Sequence, residues 1–433
     1  MSKAAVDPTH DPALSTWVEG ADGHREFPIQ NLPLGIFAPA GGDPRPGTAI
    51  GDHILDLKAA SALLGDVAGV LEGQTLNALF ALPASRRTAL RRRLSELLSD
   101  RAHRDRLAPM LHEAAACAML LPAAIGDYSD FYVGIHHAAN VGRQFRPDDP
   151  LLPNYKYVPI GYHGRASSVR PSGQPIVRPS GQRKPADAQM PIFGPSARLD
   201  YELELGIWIG EGNALGQPIP IAEASSHIVG LCLLNDWSAR DLQAWEYQPL
   251  GPFLSKSFHT TISPWVVTSE ALAPFRIAQP PRPEGDPKPL PYLWDAADQV
   301  GGAYAIELEA HLSTARMRQE GRAPHRLSRG PARNMYWTMA QIVTHHASNG
   351  CNLRPGDLIG TGTISAPGDD GYGSLLEISR GGAQPVALGG GETRAFLEDG
   401  DEVILSARAF ARGFAPIGFG ECRAIVLPAS SSP

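Results

Sequence analysis

The sequence predicts a mainly β protein of the α+β class, with a small N-terminal unit followed by a larger C-terminal one. First, 45 glycines and 40 prolines among 433 residues favour short strands joined by turns. Second, apolar runs of strand length recur throughout the chain after residue 121. Third, helical periodicity is concentrated between residues 61 and 120. The domain boundary is expected at Leu121-Pro122, which gives units of residues 1–120 and 121–433.

The N-terminal unit contains three segments of different character. Residues 1–25 are polar, and we expect them to be loosely ordered. From Phe27 to Leu57, short apolar segments are interrupted by Pro and Gly, which predicts small strands in a compact β unit. Between Ser61 and Leu120, arginines lie opposite an apolar face and acidic residues are interspersed. We interpret this segment as a solvent-exposed amphipathic helix pair rather than an anion- or RNA-binding surface.

The C-terminal part is rich in predicted strands and has one prominent helix. The strand candidates are YELELGIWIG, HIVGLCLLN, SPWVVTS, AYAIELEAHLS, DEVILSARA and ECRAIVLP. A helix is expected from Asn334 to about Ser348, with Gly350 as its C-terminal stop. His345 and His346 fall in its last turn, where cations favour the helix dipole, and we interpret them as structural.

Composition excludes several classes of partner. The net charge of −7 argues against nucleic acid, which needs a basic surface. No apolar run approaches the ~18 residues of a membrane span, and the first residues lack the apolar segment of a signal peptide. The cysteines are far apart in sequence (Cys117, Cys232, Cys351 and Cys422). We interpret them as buried free thiols of a cytoplasmic protein, not as a zinc site or a disulfide framework.

The segment from Leu234 to Pro264 has the highest density of polar residues suited to a functional site. Asp236 directly follows a predicted buried strand, Ile228–Leu234, so its carboxylate is expected at a turn. A short helix is predicted from Ser238 to Tyr247. The simplest alternative is that Asp236 caps this helix and forms a surface ion pair.

A Glu-x-Glu pair indicates a cation site. Glu202 and Glu204 share one face of a predicted strand, where their repulsion would be relieved by a divalent cation. Residues 307–309 repeat the pattern, and one of the two pairs is expected to be a solvated strand face. We favour the first pair because Asp130 and Asp236 can add carboxylates to it. An all-oxygen ligand set points to Mg²⁺ or Ca²⁺ rather than zinc.

Residues 126–147 contain further candidate site residues. Asp130 and Tyr132 precede His137, and Arg146 follows it. Together they provide a carboxylate, a phenol, an imidazole and a guanidinium, the groups needed to bind and hydrolyse an anionic oxo-substrate. Periodicity does not decide whether His136 or His137 faces the site; on a strand the two would point to opposite faces.

Longer strings resemble the fumarylacetoacetase (fumarylacetoacetate hydrolase) family. They include DFYVGIHHAANVGRQFR, LDYELEL, NDWSARDLQAWEYQPLGPFLSKSFHTTISPW and NMYWTMAQIVTHHASNGCNLRPGDL, and the similarity extends from FPIQNLPLGIF to FGECRAIVLP. The resemblance implies an N-terminal SH3-like β-barrel, a C-terminal mixed β-sandwich roll with the active site, and a homodimer. It also implies a hydrolase of ketonic carbon–carbon bonds, cleaving 4-fumarylacetoacetate to fumarate and acetoacetate in the last step of tyrosine and phenylalanine breakdown.

The resemblance also implies roles for single residues. The implied Ca²⁺ ligands are Asp130, Glu202, Glu204 and Asp236, and the implied Mg²⁺ position involves Asp236, Lys256 and Thr260. Lys256 would contribute its backbone carbonyl, because an ammonium cannot bind a cation. His137 matches the catalytic base and Glu377 its orienting carboxylate. Arg146, Gln243 and Lys256 would pair with developing oxyanions and the substrate carboxylate, and the matched substrate-contacting positions are Tyr132, Arg146, Gln243, Tyr247 and Thr363.

Two other functions are compatible with parts of this pattern. The first is another reaction through a metal-bound enolate, such as acylpyruvate hydrolysis or oxaloacetate decarboxylation; the additional N-terminal unit, residues 1–120, argues against it. The second is a metal-stabilised binding protein without turnover. His137 and Glu377 argue against that, since a metal scaffold would not require them.

Overall fold

The computed structural model of the chain describes residues 5–185 and 187–430. Its helices are α1 (Asn77–Phe80), α2 (Ala84–Ser99), α3 (Arg104–Leu107), α4 (Ile135–Phe145), α5 (Ile221–Ala224), α6 (Arg240–Glu246), α7 (Ala296–Gly301), α8 (Ala315–Gln319), α9 (Met339–Ala347) and α10 (Leu375–Ile378). Its strands are β1 (Leu34–Pro39), β2 (Arg45–Ile50), β3 (His53–Asp56), β4 (Leu111–Glu113), β5 (Cys117–Leu120), β6 (Tyr128–Phe131), β7 (Gly161–His163), β8 (Val169–Pro171), β9 (Ile176–Val177), β10 (Ser180–Arg183), β11 (Ile192–Pro195), β12 (Leu199–Asp200), β13 (Leu203–Ile209), β14 (Ile228–Asp236), β15 (Ser238–Ala239), β16 (Thr260–Ile262), β17 (Val267–Thr268), β18 (Arg276–Ile277), β19 (Ala303–Tyr304), β20 (Ile306–Ser313), β21 (His325–Pro331), β22 (Leu358–Gly360), β23 (Val386–Gly389), β24 (Glu392–Arg394), β25 (Glu402–Ala409) and β26 (Ile417–Leu427). The mainly β, α+β class is confirmed.

The N-terminal part is organised around a five-stranded antiparallel sheet of order β4-β3-β2-β1-β5. The small strands expected between Phe27 and Leu57 are β1, β2 and β3. The two outer strands come from the segment that periodicity assigned to helices. That assignment is therefore wrong for β4 and β5, and the segment contains one long helix, α2, rather than a helix pair.

The arginines of α2 do not all face solvent, contrary to expectation. Arg87 and Arg91 are both buried, with 5% of their surface exposed. The Arg91 guanidinium donates to Thr9 Oγ1 and to two main-chain carbonyls, so its donors are satisfied inside the protein. Trp17 is also buried and donates through Nε1 to a carbonyl of α2. Within residues 5–25, Thr9 and Trp17 thus contact this helix, so the segment is not loosely ordered throughout, while residues 1–4 lie outside the described chain.

Two sheets form the C-terminal sandwich. The larger has eight strands, in the order β7-β6-β22-β13-β14-β16-β8 with β17 beside β14, and the smaller has the order β21-β20-β25-β26-β9. Leu231 and Leu233 on β14 join the core cluster that lies between the sheets. Cys232 and Leu234, on the opposite face of the strand, join a second cluster that includes residues of the N-terminal part. Strand β14 is buried on both faces, which explains its continuous apolar sequence.

Local boundaries differ from the sequence prediction where tertiary pairing intervenes. Helix α6 starts two residues later than expected because β15 pairs with β12. Helix α9 starts at Met339, where Thr338 and Gln341 form a capping box. Cys117 and Cys351 are free thiols as predicted, but they are half-buried rather than buried. Among the described residues, no helix is both long and apolar enough to cross a membrane.

Candidate metal centre and catalytic dyad

Strand periodicity places the acidic residues on one face of the large sheet. Tyr128 and Leu234 face the second core cluster. Asp130 and Asp236 each lie two residues further along the same strands, so they point to the same face of the sheet. Their strands and the chain carrying Glu202 and Glu204 are near neighbours in the sheet. One oxygen from each of the four carboxylates lies within 4.8 Å of the others, and all four residues are buried. The structure thus brings together the predicted carboxylate set, and we call it the acidic cluster.

A glycine provides the space for this cluster. Gly360 on β22 pairs with Asp130 on β6 and with Gly206 on β13. A Cβ atom at Gly360 would collide with Asp130 Oδ1 and approach Glu204 Oε2 to 3.0 Å. No side chain can therefore be accommodated between the two carboxylates without displacing one of them.

Lys256 is the cation within the acidic cluster. Its Nζ lies 2.6 Å from Glu202 Oε2 and 2.8 Å from Asp236 Oδ2. Thr260 Oγ1 donates to the other carboxylate oxygen of Asp236 at 2.9 Å, and Tyr162 donates to Oδ2 at 2.9 Å. The Lys256 ammonium is a hydrogen-bond donor here, so Lys256 could bind a metal ion only through its backbone carbonyl. The metal-ligand roles of Lys256 and Thr260 stay predictions.

The charges of the cluster perturb its pKa values in opposite directions. Burial, followed by the neighbouring carboxylates, raises the pKa values of Asp130 and Glu204 well above their usual range. Burial also acts to raise the pKa of Glu202, but Lys256 and Arg240 outweigh it and lower that pKa. Lys256 and Arg240 thus outweigh the effect of burial at Glu202, whereas the attraction of Lys256 does not outweigh it at Asp130 and Glu204.

The residues present fit a divalent cation. Asp130 Oδ1 and Glu204 Oε1 are buried and have no hydrogen-bond partner in the described part of the chain. Unpartnered buried carboxylate oxygens are costly unless protonated or bound to a cation. The competing pair at residues 307–309 has a different environment: Glu307 and Glu309 pair with Arg329 at the surface of the smaller sheet. The acidic cluster could therefore hold a metal ion, with hard oxygen ligands only.

A histidine–carboxylate dyad lies close enough to the acidic cluster for His137 to lower the pKa of Glu202. His137 Nδ1 is 2.7 Å from Glu377 Oε2, and both residues are buried, with 2% and 1% of their surface exposed. The histidines are on helix α4, so the expectation that they lie on a strand is wrong. His136 is half-buried, and burial lowers its pKa. Successive helix positions are separated by about 100°, which still directs the two imidazoles differently.

Glu377 is held by more than the histidine. Asn140 Nδ2 donates to its Oε1 at 2.9 Å, and the hydroxyls of Ser365 and Ser374 donate to Oε2 at 2.9 and 2.8 Å. Burial acts to raise the pKa of Glu377, but His137 and these donors outweigh it and lower the pKa. An ionised Glu377 accepts the Nδ1 proton of His137, which leaves Nε2 as the nitrogen able to take a proton.

The predicted substrate-contacting residues fall into two groups. Tyr132 packs edge-on against His137, with ring centroids 5.5 Å apart, and Gln243 Oε1 accepts from Arg240. Thr363 is buried, and its hydroxyl has no partner within the described residues. Arg146 and Tyr247 are instead exposed, with the Arg146 guanidinium donating to the Pro150 carbonyl and the Tyr247 hydroxyl accepting from Gln248. The substrate contacts of all five stay predictions.

Sequence reasoning missed Arg240, Tyr162 and the serines around Glu377 as parts of the site. Arg240 is buried, pairs with Glu202 Oε1 at 2.7 Å, and has an unpartnered NH2 group among the described contacts. A signal existed for Ser374, because Ser-x-x-Glu is a helix-capping pattern and Ser374 does cap α10. Tyr162 lies 74 residues from Asp236 in sequence and had no comparable signal.

Comparisons with known sequences identify the family. The profile of the fumarylacetoacetate (FAA) hydrolase C-terminal domain matches residues 128–427, and that of the fumarylacetoacetase N-terminal domain matches residues 30–122. The chain belongs to the fumarylacetoacetate hydrolase family.

Family relatives span nearly the whole chain. It is 48% identical to fumarylacetoacetase of Bos taurus over 419 residues, covering 94% of this chain and 97% of the relative. It is 46% identical to fumarylacetoacetase of Arabidopsis thaliana over 430 residues, with 94% and 97% covered. A solved fumarylacetoacetate hydrolase from Exiguobacterium antarcticum has a similar fold, with a TM-score of 0.50, 17% identity and 92% and 99% coverage.

Proposed function

We propose that this protein hydrolyses the carbon–carbon bond of 4-fumarylacetoacetate, giving fumarate and acetoacetate, the last step of tyrosine and phenylalanine breakdown. The proposal is carried by one observation: the buried His137–Glu377 dyad lies close enough to the buried four-carboxylate cluster for His137 to lower the pKa of Glu202. The names of the relatives that cover nearly the whole chain support this choice of substrate. The match of residues 30–122 to the fumarylacetoacetase N-terminal domain favours it over acylpyruvate hydrolysis or oxaloacetate decarboxylation.

In the proposed reaction the dyad moves the first proton. His137 Nε2 takes a proton from water as the oxygen adds to one substrate ketone. The negative charge of Glu377 stabilises the resulting imidazolium and keeps its orientation. The tetrahedral adduct then collapses: its oxygen re-forms a carbonyl in the fumarate product, the electron pair of the cleaved bond passes to the departing carbon, and the His137 imidazolium returns its proton to that carbon as acetoacetate forms.

Donors of the protein stabilise the oxygens on which negative charge develops. We assign this role to Lys256, Gln243 and Arg146, as the sequence indicated, and add Arg240, whose NH2 group is buried and unpartnered among the described contacts. Tyr132, Tyr247 and Thr363 would complete the substrate contacts. Arg146 lies at the exposed end of α4, where it would also pair with the substrate carboxylate.

We further propose that the acidic cluster holds Ca²⁺ and that Asp236, Thr260 and the Lys256 carbonyl form a Mg²⁺ position. Four carboxylates suit the higher coordination number of Ca²⁺, whereas Mg²⁺ retains several waters. A bound cation would supply Lewis-acid charge to the enolate oxygens. Elemental analysis of the purified protein, and calorimetric titration of chelator-treated protein with each metal, test the two assignments separately.

We propose a cytoplasmic homodimer. The free cysteines fit a reducing compartment. Large apolar side chains are exposed in and just before β11, in α6 and in the segment after α6, and Trp245 of α6 contacts Gln182 on β10, the strand that pairs with β11. Exposed apolar surface of this kind favours a protein interface. Its residues are Met190, Ile192, Phe193, Trp245, Leu250, Phe253 and Leu254. We infer that a second copy covers it.

Sedimentation velocity tests the dimer. At micromolar concentration the protein should sediment as a dimer, and Leu250→Glu, at a residue 96% exposed, should shift it to the monomer. Leu215→Glu, in a different exposed loop, is the matched control and should remain dimeric. A monomeric wild type contradicts the proposal.

We also propose that residues 1–120 and 121–433 are separate domains that share one interface. Strand β5 ends at Leu120, and buried Trp208 and Val266 of the large unit join the N-terminal core cluster. The isolated segment 121–433 should therefore expose this cluster and bind a hydrophobic dye, which the full chain should not.

Steady-state hydrolysis tests the substrate assignment. Purified protein should consume 4-fumarylacetoacetate, measured by the loss of its ultraviolet absorbance, with a kcat/KM far above that on acylpyruvates. A reversed preference would favour the alternative reaction, and absence of turnover on both would favour a binding protein.

A further inference from the structure

We propose that Asp200 is a positioning residue whose buried carboxylate holds the catalytic dyad and the acidic cluster in a fixed position relative to each other. Among the described residues, the hydrogen bonds of Asp200 go to Arg240 and to main-chain N–H groups, not to a proposed ligand oxygen or to the dyad. Its two oxygens join the helix that carries Glu377 to the arginine that pairs with Glu202. This inference rests on the proposed function, because it concerns the same site.

One side of the connection is the start of α10. Asp200 Oδ1 accepts from the Leu375 N–H at 2.8 Å, and Oδ2 accepts from the Leu376 N–H at 3.0 Å. These are the first two N–H groups of a four-residue helix, and no carbonyl within the helix can accept from them. Glu377 is the next residue. The carboxylate of Asp200 therefore fixes the backbone directly before the orienting residue of the dyad.

The other side of the connection is Arg240. Its Nε donates to Asp200 Oδ2 at 2.9 Å, while its NH1 lies 2.7 Å from Glu202 Oε1 and donates to Gln243 Oε1 at 3.2 Å. The guanidinium is planar and rigid, so fixing Nε also fixes the direction of the other nitrogens. Asp200 thereby sets the orientation of a group that contacts both the acidic cluster and a predicted substrate residue.

The placement of Asp200 makes it suited to this task. It is fully buried in β12, which pairs with β15 immediately before α6. Oδ2 is shared between α10 and Arg240, so a shift of either partner changes the other. Asparagine is similar in shape, but its amide lacks the charge and presents only one acceptor oxygen. Asp200→Asn should therefore loosen α10, Arg240 or both.

The experiment compares Asp200→Asn with Asp401→Asn. Asp401 is also buried and accepts from an arginine, Arg394, and from the main-chain N–H of Glu398, which makes it a matched control outside the site. Far below the melting temperature, Asp200→Asn should lower kcat ~10–100-fold, the usual effect of a misplaced catalytic group. KM should change by less than about fivefold, and Asp401→Asn should keep the kcat of the wild type even if it melts earlier.

A second readout does not require substrate. The short His137 Nδ1–H···Glu377 hydrogen bond should give a downfield proton NMR resonance, assigned by its loss in His137→Ala. Asp200→Asn should shift or abolish this resonance, and Asp401→Asn should leave it in place. If Asp200→Asn fails to fold, Asp200→Glu, which keeps the charge but lengthens the side chain, is measured with the same expectation.

The possible results separate this inference from the proposed function. Absence of wild-type turnover would refute the proposed substrate, yet the resonance would still test the role of Asp200. A folded Asp200 variant with the wild-type resonance and wild-type kcat overturns the inference. Equal losses in the Asp401 control would also overturn it, because they would indicate general destabilisation rather than positioning.

Discussion

Replacing Glu377 by glutamine tests the dyad with little change in shape. The carboxylate accepts from His137, Ser365 and Ser374 at Oε2 and from Asn140 at Oε1. Glutamine can place its carbonyl oxygen at the position of Oε2, but its NH₂ group then occupies the position of Oε1 and faces the NH₂ group of Asn140. We therefore expect the loss of one buried hydrogen bond, about 1–3 kcal/mol of the free energy of unfolding.

The kinetic effect should exceed this structural one. Without the charge of Glu377 the His137 imidazolium is no longer stabilised, and the loss of an effective base is worth ~10²–10⁴-fold in kcat, or ~2.7–5.4 kcal/mol in the activation barrier. The assay is steady-state hydrolysis of 4-fumarylacetoacetate beside thermal melting. Glu307→Gln, at the surface of the smaller sheet, is the control and should behave as wild type.

The double variant tests whether Glu377 and His137 act together. Because both residues act on one proton, Glu377→Gln combined with His137→Ala should be scarcely worse than His137→Ala alone. A Glu377→Gln variant with kcat within about threefold of wild type would refute the dyad mechanism, since a positioned base is worth far more. Fully multiplicative losses would show that the two residues act independently.

Three further predictions concern the base, the glycine and pH. His137→Ala should lower kcat ~10²–10⁴-fold with metal content unchanged, whereas His136→Ala should keep most activity; the reverse pattern in the same assay would move the base by one residue. Gly360→Ala should weaken metal affinity at least about tenfold in calorimetry, because its Cβ would displace Asp130, while Gly69→Ala, where a Cβ meets no atom within 4 Å, should bind normally. The raised pKa values of Asp130 and Glu204 mean that metal-free folded protein binds more protons than the unfolded chain above about pH 4. Their contribution to the free energy of unfolding therefore falls as pH rises, and cation binding must displace those protons. The increase in melting temperature on adding Ca²⁺ should accordingly be larger at pH 8 than at pH 5.5, and an increase that shrinks with pH would contradict the assigned pKa directions.

The sequence was sufficient for features that follow from local pattern. The apolar segment before Asp236 indicated a buried strand, and β14 is buried on both faces. Strand periodicity put Glu202 and Glu204 on one face, where the structure places them together. Strand periodicity alone could not decide between the two identical Glu-x-Glu patterns, because only the surrounding structure distinguishes a solvated strand face from a buried one.

Other features depended on tertiary partners that no local pattern encodes. Arg87 and Arg91 have the spacing of an exposed helix face, yet both are buried, where Arg87 pairs with Glu270 and Arg91 donates to the Asn31 carbonyl. The edge strands β4 and β5 form because the sheet offers them hydrogen-bond partners, which overrides helical periodicity. The link from Asp200 to α10 joins residues 175 positions apart. Such a contact follows from the topology rather than from any one segment.

The proposed mechanism requires that the acidic cluster and the His137–Glu377 dyad act on the same substrate. The most direct test is the hydrolysis of 4-fumarylacetoacetate by protein that a chelator has stripped of metal, with removal verified by elemental analysis, before and after addition of Ca²⁺ or Mg²⁺. We predict that turnover is lost when the metal is removed, that the cation restores it in the wild type, and that the cation does not restore it in His137→Ala. Full turnover by verified metal-free protein, or equal restoration in wild type and His137→Ala, would contradict it.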